Sequence, residues 1–499
     1  MERYIIGIDQ STQGTKVALV DSNRKIVCLV SKEHRQLINE QGWISHDLNE
    51  IYSNIIELMK ELLTKTQVNH DSIVGIALTN QRETACAWSK NNGESLTEAI
   101  VWQCSRAKYL CDEIKQKGDS EIIKQKTGMA LSPYFSAVKF SWMLKNIDKV
   151  RQAEEKNDLC LGTIDSWLLF KLTYGEAFKT ELSNASRTQL LNIDKLEWDK
   201  EICSIFQISP KVLPEIVDSD ALFGYTDFDE LLSKKVPIYS VLGDSQAALF
   251  GQECLNPGEA KATYGTGSSI MMNIGGQPIR SKHNLVTSIA WKIKNKVNYV
   301  LEGNINYAGA VIKWLIEDIK LIHSAAETEK WVNLASPSNQ TYLVPAFTGL
   351  GAPYWNEKAS ATLVGMTRTT GKAEIVQAAL NCIAYQINDI VQLMIEDFGH
   401  KPVILKVDGG ASCNHYLMQF QSDISNIKIA VPNIKELSLY GTVLNAGIAS
   451  GIYREELSPD TISYSKFIPN IENDDRTKKI SGWKRAITFT DQYYKDSFN

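Results

Sequence analysis

The chain has 499 residues, enough for about two to four domains, and its 22% charged and 43% hydrophobic residues with 30 Gly and 13 Pro exclude disordered, collagen-like and coiled-coil classes. Its 53 Lys and Arg against 58 Asp and Glu give a net charge of -5, so no basic excess exists to neutralise a run of phosphates and no nucleic acid partner is expected. No apolar run approaches the ~18 residues of a membrane span, so no membrane insertion is expected either.

The opening Met1-Glu2-Arg3-Tyr4-Ile5-Ile6-Gly7 lacks the apolar core and cleavage site of a signal peptide, which predicts a cytoplasmic protein. Tyr4 to Ile8 and Val17 to Val20 read as the two arms of a β-hairpin joined through Asp9-Gln10-Ser11-Thr12-Gln13-Gly14-Thr15. Asp47 opens a helix as a D-x-x-E cap, with Ile51, Ile55, Leu58 and Leu62 on one face. Ile73 to Leu78 reads as a buried strand ending in Thr79-Asn80-Gln81-Arg82-Glu83, where open α/β sheets place their ligands. A further apolar segment, Val236 to Leu242, runs into Gly243-Asp244-Ser245-Gln246. A second hairpin spans Ala260 to Ile274 with Tyr264-Gly265-Thr266-Gly267 at its tip. Residues 373–398 have helical periodicity and a stop at Gly399, and Val403 to Val407 is a strand opening into Asp408-Gly409-Gly410. A strand–turn–strand element thus starts the chain and recurs near 260, which predicts two α/β halves facing each other across a cleft, 1–250 and 251–499. The charge cluster from Glu472 to Lys479 reads as a solvated face. Nine cysteines without a C-x-x-C pair or zinc spacing predict reduced, mostly buried thiols.

The familiar nucleotide loops, G-x-x-x-x-G-K-[ST] and G-x-G-x-x-G, are absent, as is H-E-x-x-H. Gly243-Asp244-Ser245-Gln246-Ala247 is one residue from a nucleophile elbow, which raises a serine hydrolase using Ser245 with His400 or His415 as the alternative of another class. Thr12-Gln13-Gly14-Thr15-Lys16 offers backbone N–H groups, hydroxyls and a cation suited to phosphate oxygens, and Tyr264 to Gly267 offers a second such cradle. Asp9, at the end of the first strand, suits Mg²⁺, which takes one or two protein carboxylates and keeps waters. Taken singly, each turn also reads as a plain hairpin turn; the combination with Asp408-Gly409-Gly410 sets them apart.

That combination resembles the FGGY carbohydrate kinases, closest to the glycerol kinases among them, over nearly the whole chain from Gly7 to about Gly451. The segments that carry the resemblance appear in the family's order: Thr79 to Thr84, Ile100 to Cys104, Asn184 to Arg187, Asp244 to Gln252, Phe347 to Trp355, Val407 to Ala411 and Met418 to Asp423. The family signature fits from Tyr134 to Asn146, with Lys139 and Trp142 in place. The resemblance implies two actin/Hsp70-like (ribonuclease H-like) α/β domains, an N-terminal one for polyol and phosphate and a C-terminal one for nucleotide. It implies transfer of a phosphoryl group from ATP, with Mg²⁺, to a terminal hydroxyl of a small polyol, glycerol first, and a homo-oligomer of two or four chains.

Residue by residue, Asp244 matches the catalytic base; a carboxylate suits it because phosphoryl transfer needs orientation and charge stabilisation more than basicity. Arg82, Glu83 and Tyr134 match polyol-binding residues and Trp102 an apolar wall. Thr12 and Thr266 match phosphate contacts, with Gln13, Gly14 and Lys16 in the first phosphate turn. Gly309, Lys313, Gly410 and Asn414 match the nucleotide side, and Asp9 the Mg²⁺-associated acid.

The departures concern specificity. Ser245 stands where glycerol kinases carry a substrate-binding Gln, and Ser269 where they carry Phe, so the pocket is expected to be larger and more polar. A tetritol, pentitol, xylulose or ribulose is therefore the alternative substrate class. Ser11 replaces the usual Gly of the first phosphate turn, with Gly14 expected to restore the backbone freedom, and Lys313 replaces a Gln. Residues 225–232 contain no histidine, so activation by phosphorylation of a loop histidine is not expected.

Overall fold

A computed structural model of the chain describes residues 2–352, 354, 356, 358–454 and 462–496. Pro353 and Trp355 of the segment quoted above lie outside the described residues. Two large sheets organise the chain. The first has six strands in the order Gly224–Thr226, Val236–Gly243, Ile73–Asn80, Tyr4–Gln10, Gly14–Asp21, Ile26–Glu33. Tyr4–Gln10 pairs antiparallel with Gly14–Asp21 and parallel with Ile73–Asn80, which in turn is parallel to Val236–Gly243. The second has seven strands in the order Val286–Ile293, Lys296–Ile305, Ser268–Gly275, Ala260–Tyr264, Ile404–Asp408, Lys428–Pro432, Tyr464–Phe467. Here too the first strand, Ala260–Tyr264, has an antiparallel partner on one side and a parallel one on the other. The same plan occurs twice, as in the two ribonuclease H-like domains of the actin fold.

The local signals explain these elements. Ile5, Ile6 and Ile8 are fully buried because a central strand flanked by a parallel neighbour is covered on both faces. Asp47 Oδ1 accepts the Asn49 N–H at 2.9 Å and starts the helix Leu48–Thr66, whose Ile51, Ile55, Leu58 and Leu62 are buried. Glu50 does not close a capping box; its carboxylate pairs with Arg35 at 3.1 Å. Gly399, at φ 89°, ends the helix Lys372–Phe398. The strand placed from Val403 is Ile404–Asp408: Val403 is 81% exposed, and the register carries on to Asp408 opposite Thr263. The charge cluster lies at the start of the helix Asn473–Asp496 and is mostly exposed, although Arg476 Nε reaches the Asp423 carbonyl at 2.6 Å. Cys28 is half-buried, Cys413 exposed and the other cysteines are buried, all of them free. Among the described residues no helix is long and apolar enough to cross a membrane.

Two features position the site. A small five-stranded sheet, Leu37–Ile38, Ile44–His46, Ala99–Ile100, Ala85–Ser89 and Leu159–Thr163, stands beside the first large sheet and is built mostly from the insertion after Ile73–Asn80. The two halves are joined by the helices Asp244–Gly251 and Leu437–Ala449. A Cβ on Gly441 would fall 1.8 Å from the Ala247 carbonyl oxygen, and one on Gly251 2.4 Å from that of Leu437, so only glycines permit this approach.

Candidate active site

Three neighbouring parallel strands of the first sheet stop in register at Gln10, Asn80 and Gly243. Asp9, Arg82 and Asp244 therefore emerge side by side at their C-terminal ends, the usual ligand edge of an open α/β sheet. A Cβ on Gly243 would lie 2.8 Å from Arg82 Cδ, so glycine there lets Arg82 cross the strand end. Arg82 Nε then meets Asp244 Oδ1 at 3.1 Å. Asp244 begins the helix Asp244–Gly251 with its side chain 36% exposed, and Oδ1 also accepts the Ser245 N–H at 2.6 Å.

Behind this pair lies a buried ion network that joins the two halves. Glu302, fully buried on Lys296–Ile305, accepts Arg82 Nη1 and Nη2 at 3.0 and 2.9 Å and Arg187 Nη1 at 2.9 Å. Burial alone would raise its carboxyl, but the Arg187 and Arg82 guanidiniums hold it at about 2. Arg187 Nε also bonds Glu83 Oε1, and Gln246 Oε1 accepts from Arg82 Nη1 at 3.1 Å. Glu83 has φ 61° and Thr84 N–H closes a tight turn onto the Arg82 carbonyl at 2.8 Å. Such backbone is strained for a side chain with a Cβ, and it is held here by Arg187 and by Ser136 Oγ on the Glu83 carbonyl at 3.0 Å. Ser269 Oγ donates to Glu302 Oε1 at 3.3 Å, so this serine joins the polar floor.

Trp102 and Tyr134 form the facing wall, with ring centroids 5.3 Å apart. Burial and the nearby Glu83 charge push the Tyr134 phenol upward, so it stays a hydrogen-bond donor. The buried Lys139 ammonium, lowered to about 7 by burial, donates to the Tyr134 and Phe135 carbonyls and fixes this segment. Trp102 Nε1 donates to Thr12 Oγ1 at 2.9 Å, which ties the wall to the turn after the first strand.

In that turn, Ser11 N–H and Oγ both reach the Gly14 carbonyl, at 2.8 and 3.0 Å. Gly14 does not adopt a left-handed φ, contrary to the expectation that it restores freedom lost at Ser11; a Cβ on it would fall 2.7 Å from the Lys32 carbonyl oxygen, and this close strand approach is what requires glycine. Gln13 is exposed, and Lys16 Nζ pairs with Glu436 Oε2 at 2.5 Å. On the second sheet, the Thr266 carbonyl accepts the Ala308 and Ala310 N–H groups at 2.9 and 3.0 Å, seating the hairpin tip on the helix Gly309–Glu317. A Cβ on Gly309 would lie 2.8 Å from the Gly265 oxygen. Gly409, at φ 91°, passes against Tyr264, while Gly410 has open space beside it. Lys313 is exposed and pairs with Glu317 at 3.5 Å. Asn414 caps the helix His415–Ser425, Oδ1 accepting the Leu417 N–H at 2.8 Å and Nδ2 donating to Thr328 at 2.9 Å. Both ends of that amide are thus occupied within the protein.

Asp9 Oδ1 and Asp408 Oδ1 are buried without a hydrogen-bond partner. Burial, then the Asp244 charge, raises Asp9 to about 7. An orphaned anionic oxygen facing a second carboxylate fits a hard divalent cation. Among the described residues no group of three or more His, Cys, Asp and Glu is disposed to hold a metal. The elbow-like Ser245 does sit at a strand-to-helix turn, but His400 packs on Phe398 and His415 on Phe467, and neither bonds Ser245.

The sequence reading assigned no role to Glu302 or Arg187. Its available signal was a single acid within the apolar run Val300-Leu301-Glu302-Gly303. The buried Lys261, lowered by desolvation and facing Asp408, Glu302 and Asp244, carries no such sequence signal.

Comparison with known proteins agrees with this geometry. Residues 4–251 match the N-terminal domain, and residues 260–450 the C-terminal domain, of the FGGY family of carbohydrate kinases. Glycerol kinase 1 of Thermotoga maritima is 44% identical over 486 residues, 97% of this chain and 99% of that protein. Glycerol kinase of Clostridium botulinum is 43% identical over 490 residues, 98% of each. The crystal structure of Plasmodium falciparum glycerol kinase with ADP superposes with a TM-score of 0.92 at 36% identity, covering 98% of both chains. With two lobes of the same plan, an acid, an arginine and a second acid at the strand ends, and full-length relatives of this similarity, the chain belongs to the FGGY family of carbohydrate kinases.

Proposed function

We propose that this enzyme transfers the γ-phosphoryl group of ATP to a terminal hydroxyl of glycerol, giving glycerol 3-phosphate and ADP, with Asp244 as general base. The observation that carries the reading is the pairing of Asp244 with Arg82 beside the Trp102–Tyr134 wall. Both protein contacts of Asp244 fall on Oδ1, which leaves Oδ2 to take the hydroxyl proton as the substrate oxygen attacks phosphorus and the bond to ADP breaks. Arg82 and Glu83 are a donor and an acceptor for the polyol hydroxyls, and the phenol of Tyr134 adds a third polar contact. Thr12, Gly14 and Lys16 face the transferred phosphate from the N-terminal half, 1–250. Thr266, Gly309 and Gly410 serve the nucleotide in the C-terminal half, 251–499, and the ADP in the Plasmodium relative supports a nucleotide there. Asp9, beside the Asp244 carboxylate, would hold Mg²⁺, which supplies charge neutralisation on phosphoryl oxygens. Closure of the halves excludes water as a competing acceptor. A cytoplasmic homo-oligomer completes this reading.

The test is ATP-dependent ADP release against glycerol, erythritol, xylitol, xylulose and ribulose, compared by kcat/KM. Glycerol leading by about tenfold or more supports the reading. A four- or five-carbon substrate leading shows instead that Ser245 and Ser269 have widened the pocket. Asp244→Asn is expected to lower kcat by several orders of magnitude with ATP binding retained, and near-normal turnover refutes the base.

A further inference from the structure

The backbone N–H of Gly243, immediately before Asp244, lies at the end of its strand, where a buried donor needs a partner outside the sheet. Ser183 Oγ accepts it at 2.9 Å. A serine hydroxyl has one proton, and Ser183 gives it to Glu181 Oε1, so its lone pairs are turned toward Gly243. Glu181 is fully buried and its position is over-determined. Oε1 also accepts the Asn184 N–H at 2.7 Å and Nδ2 at 3.1 Å, while Oε2 accepts the Ser183 N–H at 2.7 Å and Ser219 Oγ at 3.1 Å.

The same segment holds the neighbouring strand end. Asn184 exchanges both amide hydrogen bonds with Asn80, at 3.0 and 3.1 Å, and Asn80 is two residues before Arg82 and in register with Gly243. Ser219 continues the chain of contacts into the second half: its N–H donates to the Lys292 carbonyl at 2.8 Å, and its carbonyl accepts Asn445 Nδ2 at 2.7 Å. One buried plug, Glu181 to Asn184, therefore sits across the two strand ends that deliver Arg82 and Asp244. Capping of the short turn Leu182–Ala185 accounts for the bonds to Ser183 and Asn184 N–H, but not for the reach of Ser183 Oγ to Gly243.

We infer that Ser183 and Glu181 are positioning residues for the phosphoryl-transfer reaction: Ser183 Oγ fixes the Gly243 peptide that aims Asp244, and Glu181 fixes Ser183. The inference rests on Asp244 being the base, and the variants below separate the two. Kinetics of ADP release with glycerol and Mg·ATP are compared for the wild type, Ser183→Ala, Ser183→Cys, Asp244→Asn and the Asp244→Asn/Ser183→Ala double variant. Ser183→Ala is expected to lower kcat by about 10–100-fold, the order produced by a misplacement near 1 Å, with both KM values within about threefold. Added to Asp244→Asn it is expected to cause no further loss, because the group it aims is already gone. An unchanged kcat in Ser183→Ala, or an equal fold-loss with and without the Asp244 carboxylate, overturns the role. Ser183→Cys keeps similar volume with a weak acceptor and carries the same test if the alanine variant does not fold; wild-type turnover in it also overturns the role. Near-normal kcat in Asp244→Asn alone is the separate failure of the base assignment.

Discussion

Glu302→Gln removes one charge from a set in which two buried guanidiniums, Arg82 and Arg187, face three carboxylates, Glu83, Glu302 and Asp244. Glu302 receives three of the guanidinium hydrogen bonds at 2.9 to 3.0 Å, and a glutamine offers one oxygen in place of two while bringing an N–H₂ that faces donors. Breaking a buried pair from one side costs about 3–5 kcal/mol, and the neutral oxygen that remains puts this variant near the lower end. The functional effect follows from Arg82. With Nη1 and Nη2 released, its guanidinium turns to present two N–H groups to Asp244, which covers the proposed base and withdraws the donor proposed for the polyol. A loss of ~100-fold in kcat/KM, equivalent to ~2.7 kcal/mol, is expected. The assay is kcat and KM for glycerol and for ATP, with thermal melting followed in parallel. The expected pattern is a fall in both kcat and glycerol affinity, little change in KM for ATP, and a lowered Tm. A variant with kcat/KM within about threefold of wild type and an unchanged Tm would refute the argument that this network orients the site.

Ser269→Phe places an aromatic ring, ~150–250 Å² of surface, where a half-buried serine now bonds Glu302, and is expected to move preference toward glycerol over four- and five-carbon substrates by about tenfold. An unchanged ratio of kcat/KM values removes Ser269 from the specificity argument. His34 and His46 form a buried edge-to-face pair with centroids 4.6 Å apart, and burial, then the neighbouring His34, pushes His46 down to about 4. The unfolded chain takes up the proton near pH 6.5 and the folded one only near 4, so this contribution to stability is present above 6.5 and is lost as pH falls toward 4. By pH 5 about 2 kcal/mol of it has been lost. Thermal melts at pH 7.5 and pH 5 should show a smaller acid-induced drop in His46→Asn than in the wild type; equal drops would remove His46 as the cause.

Much of this molecule is written in short-range pattern. Short apolar, β-branched runs mark the strands Tyr4–Gln10 and Ile73–Asn80, the repeated strand–turn–strand pattern marks Ala260–Tyr264, and three- or four-residue spacing marks Leu48–Thr66 and Lys372–Phe398, because these signals lie within a few residues of one another. The acids and the arginine at strand ends are legible for the same reason: each lies within two residues of the end of its strand. What the sequence could not determine are pairings made across the fold. Glu302 meets Arg82 across 220 residues and Arg187 across 115, and Lys16 meets Glu436 across 420. Nothing local distinguishes a buried, doubly paired glutamate from a surface one, because the difference is made by the burial and partners that the tertiary fold supplies. Thr12 likewise read as a phosphate contact and Trp102 as a wall; only the fold joined them by a hydrogen bond. The sequence determined which groups stand at the strand ends. The tertiary structure decided which charges neutralise one another behind them, since that depends on distances closed only when the two halves pack through Gly251 and Gly441.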